Sequence, residues 1–152
     1  MADKLRWVAP ANLHLTLRFI GKTSPAVLRT IREGLQELPC GPFEIGIGGA
    51  GTFGRGVRTR VCWLGVIRGR EPLADLAEGV GTVCRLAGVR NESRAYNPHL
   101  TLARAREREG VEVPDLPPVP AIPPWRVEEF SLYQSRLGSG GPTYAILETF
   151  SI

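Results

Sequence analysis

Polar and apolar residues alternate along "NLHLTLRFIG" (12–21). His14, Thr16 and Arg18 point one way, and Leu13, Leu15, Leu17 and Phe19 point the other, which predicts a strand with one face in a core. The period then changes. In "TSPAVLRTIREGLQEL" (23–38), Val27, Leu28, Ile31, Leu35 and Leu38 mark one face of a helix. Ser24 is placed to cap it, Pro25 fits its first turn, and Pro39 and Gly41 end it. "FEIGIGG" (43–49) alternates as a strand and runs into a glycine-rich loop ending near Gly56. "RVCWLGVI" (60–67) reads as a buried strand. "EPLADLAEGVGTVCRLAG" (71–88) reads as a second helix, weakened by Gly79 and Gly81. "YNPHLTLA" (96–103) is a strand. "PDLPPVPAIPP" (114–124) carries six prolines and reads as an extended surface connection. "WRVEEFSLYQS" (125–135) and "TYAILETFSI" (143–152) form a hairpin about a tight turn in "LGSGGP" (137–142).

The predicted order is β-α-β-β-α-β-β-β, which argues α+β. Two H-L-T-L strands, each beside a helix and a hairpin, suggest an internal duplication. The expectation is one domain over 1–152, with a first repeat at about 5–67 and a second at about 71–152. Its architecture would be two-lobed, with duplicated antiparallel sheets, helices outside and a central groove.

Composition narrows the class without changing this picture. The chain has 152 residues, 43% hydrophobic and 22% charged, which suits one globular domain. No run is long and apolar enough for a membrane helix, and "MADKLRWVAP" lacks the apolar segment of a signal peptide. Cys40, Cys62 and Cys84 are odd in number and far apart, which fits small buried residues in a reducing cytoplasm better than a disulfide framework or zinc knuckle. A cytoplasmic monomer without membrane attachment is expected. The net charge of +4 permits a polyanionic partner. Nearly all of the positive charge is arginine. That residue suits phosphate recognition, but a GC-rich genome or a thermophilic host gives the same bias.

The chemistry rests on the histidines. The chain has only two, His14 and His99, each followed by Leu-Thr-Leu. A lone histidine on a strand is usually structural, and duplicated ancestry accounts for the leucines, which face a core. It accounts less well for His and Thr on the opposite face. There, alternation sets each histidine beside its threonine. Should the repeats pack with pseudo-twofold symmetry, both pairs line one groove. Near neutral pH one imidazole can accept a proton while the other donates one, and the hydroxyls can hold anionic oxygens. In-line opening of a phosphodiester needs this pairing: a base for water on one side of phosphorus and an acid for the leaving oxygen on the other. Two histidines are too few for a His₃ metal site, and no carboxylate shares either motif. Neither metal nor cofactor is expected.

His14-Leu15-Thr16-Leu17 and His99-Leu100-Thr101-Leu102 resemble the paired H-x-T-x motifs of the 2H phosphoesterases. The stretches "RWVAPANLHLTLRFIG", "NPHLTLAR" and "FSLYQSRLGSGGPTYAIL" are similar to its bacterial and archaeal branch, the RNA 2′,3′-cyclic phosphodiesterases, also known as 2′-5′ RNA ligases. The resemblance implies a metal-independent hydrolase that opens the 2′,3′-cyclic phosphate of an RNA 3′ end or small nucleotide to a 2′-phosphomonoester. His14 would be the general acid and His99 the general base. Thr16 and Thr101 would hold phosphate oxygens, Arg104 would contact the phosphate, and Phe19 would stack on a base. Members of the branch usually carry a further strand and helix before "RWV". Strict alternation, however, puts Arg104 and Phe19 on the leucine face, where Arg104 would be a solvated charge and Phe19 a core residue.

Other signals are weaker. "GIGGAG" (46–51) matches G-x-G-x-x-G, but no helix follows to receive a phosphate. It reads as a flexible loop from which Arg55, Arg58 and Arg60 reach solvent or an RNA backbone. Ser135 lacks a nucleophile elbow, and Arg136 sits near the expected groove. Trp7, Trp63 and Trp125 read as core or packing residues, or as a platform for a base. Two rival functions stay open: 2′-5′ RNA ligation or its reversal, and a non-catalytic RNA-binding module.

Overall fold

The computed structural model describes residues 4–139 and 141–152. It is α+β with antiparallel sheets. The strands are β1 (Leu5–Trp7), β2 (Phe43–Arg55), β3 (Arg58–Arg68), β4 (His99–Ala105), β5 (Val111–Glu112), β6 (Trp125–Val127), β7 (Glu129–Gly138) and β8 (Gly141–Ser151). The helices are α1 (Pro25–Gln36) and α2 (Arg70–Leu86), and a 3₁₀ turn covers Pro10–Asn12. The chain divides into two compact units, neither of them continuous in sequence, and each draws on both predicted repeats.

The first unit holds residues 1–15, 45–68 and 98–125. Its strands run β1-β4-β3-β2, with β5 beside β3. Leu5, Cys62, Ala103 and Val111 form its buried cluster. The expected glycine loop is not a loop. β2 continues through it to a two-residue turn at Gly56–Val57, because its glycines lie under the side chains of β3. A Cβ on Gly51 would stand 2.4 Å from the Trp63 ring, and one on Gly48 would stand 2.8 Å from Ile67. Gly48 and Gly51 thus make room for neighbours across the pleat.

The second unit holds residues 16–44, 69–97 and 126–152. Ile31 and Leu35 of α1, Leu76, Val80 and Cys84 of α2, and Leu132 and Phe150 of the β7–β8 hairpin make its core. The Ser24 side chain caps α1, accepting a hydrogen bond from the Val27 backbone N–H at 3.2 Å. Gly34 meets Val83, and Gly79 meets Leu38; a Cβ at either position would approach within 2.7 and 2.8 Å respectively. Gly79 therefore lets Leu38, just past the end of α1, pack closely on α2, whereas Gly81 faces open space. Glu148 of β8 accepts hydrogen bonds from Arg32 and from Gln36, the latter at 2.9 Å. These donors hold its carboxyl below the ordinary value.

Several predicted elements shift. Residues 12–21 form no continuous strand; after the 3₁₀ turn a single bridge pairs Leu15 with Leu100. β1, unpredicted, takes the edge of β4 instead. The strand predicted over 125–135 is broken into β6 and β7. Part of the turn predicted over 137–142, at 140, lies outside the described residues.

Candidate active site

His14 and His99 come together at one strand. β1 pairs with β4 from Leu5↔Ala105 to Trp7↔Ala103, and Val8 N–H extends that ladder to Leu102 O at 2.8 Å. The chain then leaves the edge through Ala9 and the 3₁₀ turn and rejoins it at Leu15, opposite Leu100. The bridge is antiparallel, which sets His14 on the Thr101 side of Leu15 and brings both histidine motifs to one edge of β4. Leu15 and Leu100 are half-buried, while His14 is exposed and His99 is half-buried. Side chains adjacent to a bridge take the face opposite to the bridging pair.

His14 Nδ1 lies 2.7 Å from Asn12 O. A carbonyl only accepts, so Nδ1 carries the hydrogen of that bond. Nothing in the sequence pattern hints at this partner, which comes from the 3₁₀ turn. His99 sits against two rings. Phe53 meets it edge-on at 4.9 Å, and Trp63 stands at 6.2 Å, itself 5.0 Å from Phe53. Phe53 was not singled out from sequence, although it is the last aromatic of β2 and faces Val61 across the ladder.

A bulge settles the direction of Arg104. Along β3, Gly65 pairs with His99, Trp63 with Thr101, Cys62 with Ala103 and Val61 with Arg104. One step on β3, from Trp63 to Cys62, spans two steps on β4, so Leu102 is extra. The phase of β4 reverses there. Ala103 turns into the buried cluster with Cys62, and Arg104 turns to the face of Trp63, Thr101 and His99. Strict alternation had put Arg104 on the leucine face; the inserted residue corrects that.

Thr16, exposed, follows Leu15 directly and begins the second unit. Its carbonyl accepts a hydrogen bond from Tyr96 Oη at 3.0 Å. Burial pushes the Tyr96 phenol up to about 12. Arg18 does not share an outward face with His14 and Thr16. Its side chain is only 6% exposed, donates a hydrogen bond to Arg90 O and is ion-paired with Glu92 at 3.6 Å. Tyr96 and Arg18 thus fasten the segment that delivers His99 to the one that leaves His14. Phe19 is 70% exposed and outside any strand, so it is no core residue. Trp7 and Trp125, 58% and 45% exposed, are likewise not core, and Arg136 only reaches Gln134, at 3.5 Å. Arg58 donates a hydrogen bond to Gly110 O at 3.0 Å and is ion-paired with Glu107 at 3.7 Å. Among the described residues no group of three or more His, Cys, Asp or Glu is arranged to hold a metal ion.

An α+β chain whose two H-L-T-L segments meet backbone to backbone is a protein of the two-histidine phosphoesterase class. The family model of the 2′-5′ RNA ligase superfamily matches residues 3–138, and the chain belongs to that superfamily. It is 36% identical to the RNA 2′,3′-cyclic phosphodiesterase of Methanothermobacter thermautotrophicus, over 98% of this chain and 83% of the relative. The Escherichia coli protein of the same name is 29% identical over 97% of this chain and 80% of its own. Among solved structures, E. coli LigT complexed with 3′-AMP superposes with a TM-score of 0.87 at 28% identity, over 100% of this chain and 83% of that one. The Thermus thermophilus protein TT0787 gives 0.83 at 31%, over 97% and 82%.

Proposed function

We propose that this chain hydrolyses the 2′,3′-cyclic phosphate of an RNA 3′ end or a small nucleotide to a 2′-phosphomonoester. His99 takes a proton from water as its oxygen attacks phosphorus. The bond from phosphorus to O3′ breaks, and His14 Nε2 gives its proton to that leaving oxygen. Thr101 and Thr16 donate hydrogen bonds to the phosphate oxygens, Arg104 balances the charge that builds on them, and Phe19 stacks on the base. The chain acts as a single two-repeat domain and as a monomer. The free thiols of Cys40, Cys62 and Cys84 suit a cytoplasmic protein.

One observation carries the reading: the Leu15–Leu100 bridge, which holds the two histidine motifs in fixed register. The relatives' names support cyclic phosphate opening. Joining of RNA ends through a 2′-5′ bond is the runner-up. It uses the same acid and base with a hydroxyl in place of water.

The test is an RNA ending in a 2′,3′-cyclic phosphate, with identification of the product. A 2′-phosphate is expected, insensitive to EDTA. His14→Ala or His99→Ala should lower kcat about 10²–10⁴-fold. Loss below about tenfold in both variants refutes the acid–base roles. A longer RNA instead of a phosphomonoester indicates ligation, and binding without turnover indicates a recognition module.

A further inference from the structure

We propose that Lys4, Arg6 and Arg106 continue the site as a ladder that grips the internal phosphates of single-stranded RNA, beyond its 3′-terminal nucleotide. This rests on the hydrolytic reading above and names its preferred substrate, an RNA chain over a mononucleotide.

Arg6 pairs directly with Arg104 across β1 and β4. One step along, Arg106 N–H donates to Lys4 O at 3.0 Å, so Lys4 lies opposite Arg106 in the same register. Side chains two residues apart share a face. Arg6 and Arg104 therefore lie on the face opposite to buried Leu5 and Ala103, which the bulge at Leu102 makes the face of Thr101 and His99, and the backbone bond between Arg106 and Lys4 sets that second pair one step further on, just past the ends of β1 and β4. All four are exposed. Among the described residues none has a carboxylate partner: Glu107, the neighbour of Arg106, is engaged with Arg58.

Like charges directly opposite each other on paired strands are destabilising. Protection of a sheet edge would explain cations on β1 but not on β4, which is an inner strand. A polyanion laid along the ladder turns the repulsion into attraction. The spacing suits one. Levels recur every two residues, about 6.7 Å apart at the rise of a strand, comparable to the step between phosphates of an extended polynucleotide. In order, the levels are His99, Thr101, Arg104 with Arg6, and Arg106 with Lys4. With the terminal phosphate held between the histidines and Arg104, the preceding phosphates meet Arg6 and then Arg106 with Lys4.

The experiment compares the wild type with Lys4→Gln/Arg6→Gln/Arg106→Gln on two substrates: adenosine 2′,3′-cyclic phosphate and a hexaribonucleotide ending in the same group. The variant should turn over the mononucleotide within about twofold of wild type. On the hexanucleotide its KM should rise tenfold or more. Three phosphate contacts give a salt slope of about −2 for single strands. Wild-type affinity should thus fall about 16-fold between 50 and 200 mM salt, and the variant should lose most of that dependence. Its Tm should be unchanged or higher, because like charges have been removed.

Equal kcat/KM for both substrates in the wild type, or an equal loss on both in the variant, overturns the ladder. Anisotropy with a labelled hexanucleotide ending in a 2′-phosphate separates this failure from that of the hydrolytic reading. Salt-dependent binding that the variant loses, with no turnover of either substrate by the wild type, defeats hydrolysis and leaves the ladder. Turnover of both substrates with no effect of length defeats the ladder alone.

Discussion

Tyr96→Phe removes one oxygen and leaves the ring. That oxygen donates to Thr16 O at 3.0 Å, one residue beyond the bridge that pairs the histidine motifs. The phenol is held near 12, so it keeps its proton, and its role as donor, at any assay pH near neutrality. A hydrogen bond of this kind contributes a net ~1 kcal/mol. Thr16 is exposed, so water can partly solvate the carbonyl that loses its partner, which keeps the cost at the low end. For a chain of this size 1 kcal/mol corresponds to a Tm lower by about 2–4 °C. If the whole bond served to hold Thr16 in place, its loss would cost at most about tenfold in rate, since 1.36 kcal/mol is tenfold. The expected result is a three- to tenfold fall in kcat on a 2′,3′-cyclic nucleotide, a small change in KM and unmoved limbs of the pH–rate profile. Stability also carries a signature. The folded protein keeps the phenolic proton after the unfolded chain has lost it, so wild-type stability falls as pH rises from the ordinary value of 10 toward 12. The phenylalanine variant should lack that decline. An unchanged kcat and Tm would show that the bond fixes nothing, and a loss beyond a hundredfold would make the phenol a chemical participant.

Two predictions concern the second unit. Gly34→Ala forces a Cβ to within 2.7 Å of Val83, a stiff β-branched side chain, and should cost about 1–3 kcal/mol in chemical denaturation; Gly81→Ala, facing open space, should instead stabilise by about 0.5–1 kcal/mol. Glu148 is held below its ordinary value of 4.5 by Arg32 and Gln36, so its contribution is present above 4.5 and lost as pH falls through its folded value. Urea midpoints for wild type and Glu148→Gln should therefore converge on acidification, and a gap that stays constant into acid would refute that assignment.

Much of the fold was legible because periodicity survives packing. The α1 stripe of Ile31 and Leu35 reached the core, and Ser24 capped the helix as its position suggested. The two histidine motifs were legible because nothing else in the chain repeats so closely. What failed was whatever depends on a partner strand. The glycines of β2 looked like a loop because their justification, the Trp63 and Ile67 side chains above them, lies on β3. The first H-L-T-L segment looked like a strand, yet β1 claims most of the β4 edge and leaves it one bridge. Arg18 alternates correctly on paper but turns inward to Arg90 and Glu92.

Arg104 is the sharpest instance. Alternation is a property of one strand, whereas a bulge is a property of two, since it exists only where the partner offers one residue against two. No pattern within "HLTLARA" marks Leu102 as the extra residue. The sequence does contain the consequence: alanine, small enough for the crowded cluster around Leu5 and Cys62, stands at 103, and the long cation stands at 104. A strictly alternating strand would bury Arg104 beside those apolar groups, where an unpaired charge is costly. It would also send a bare alanine to the histidine face. One inserted residue reverses both outcomes, and it brings a guanidinium to the face where a phosphate would lie.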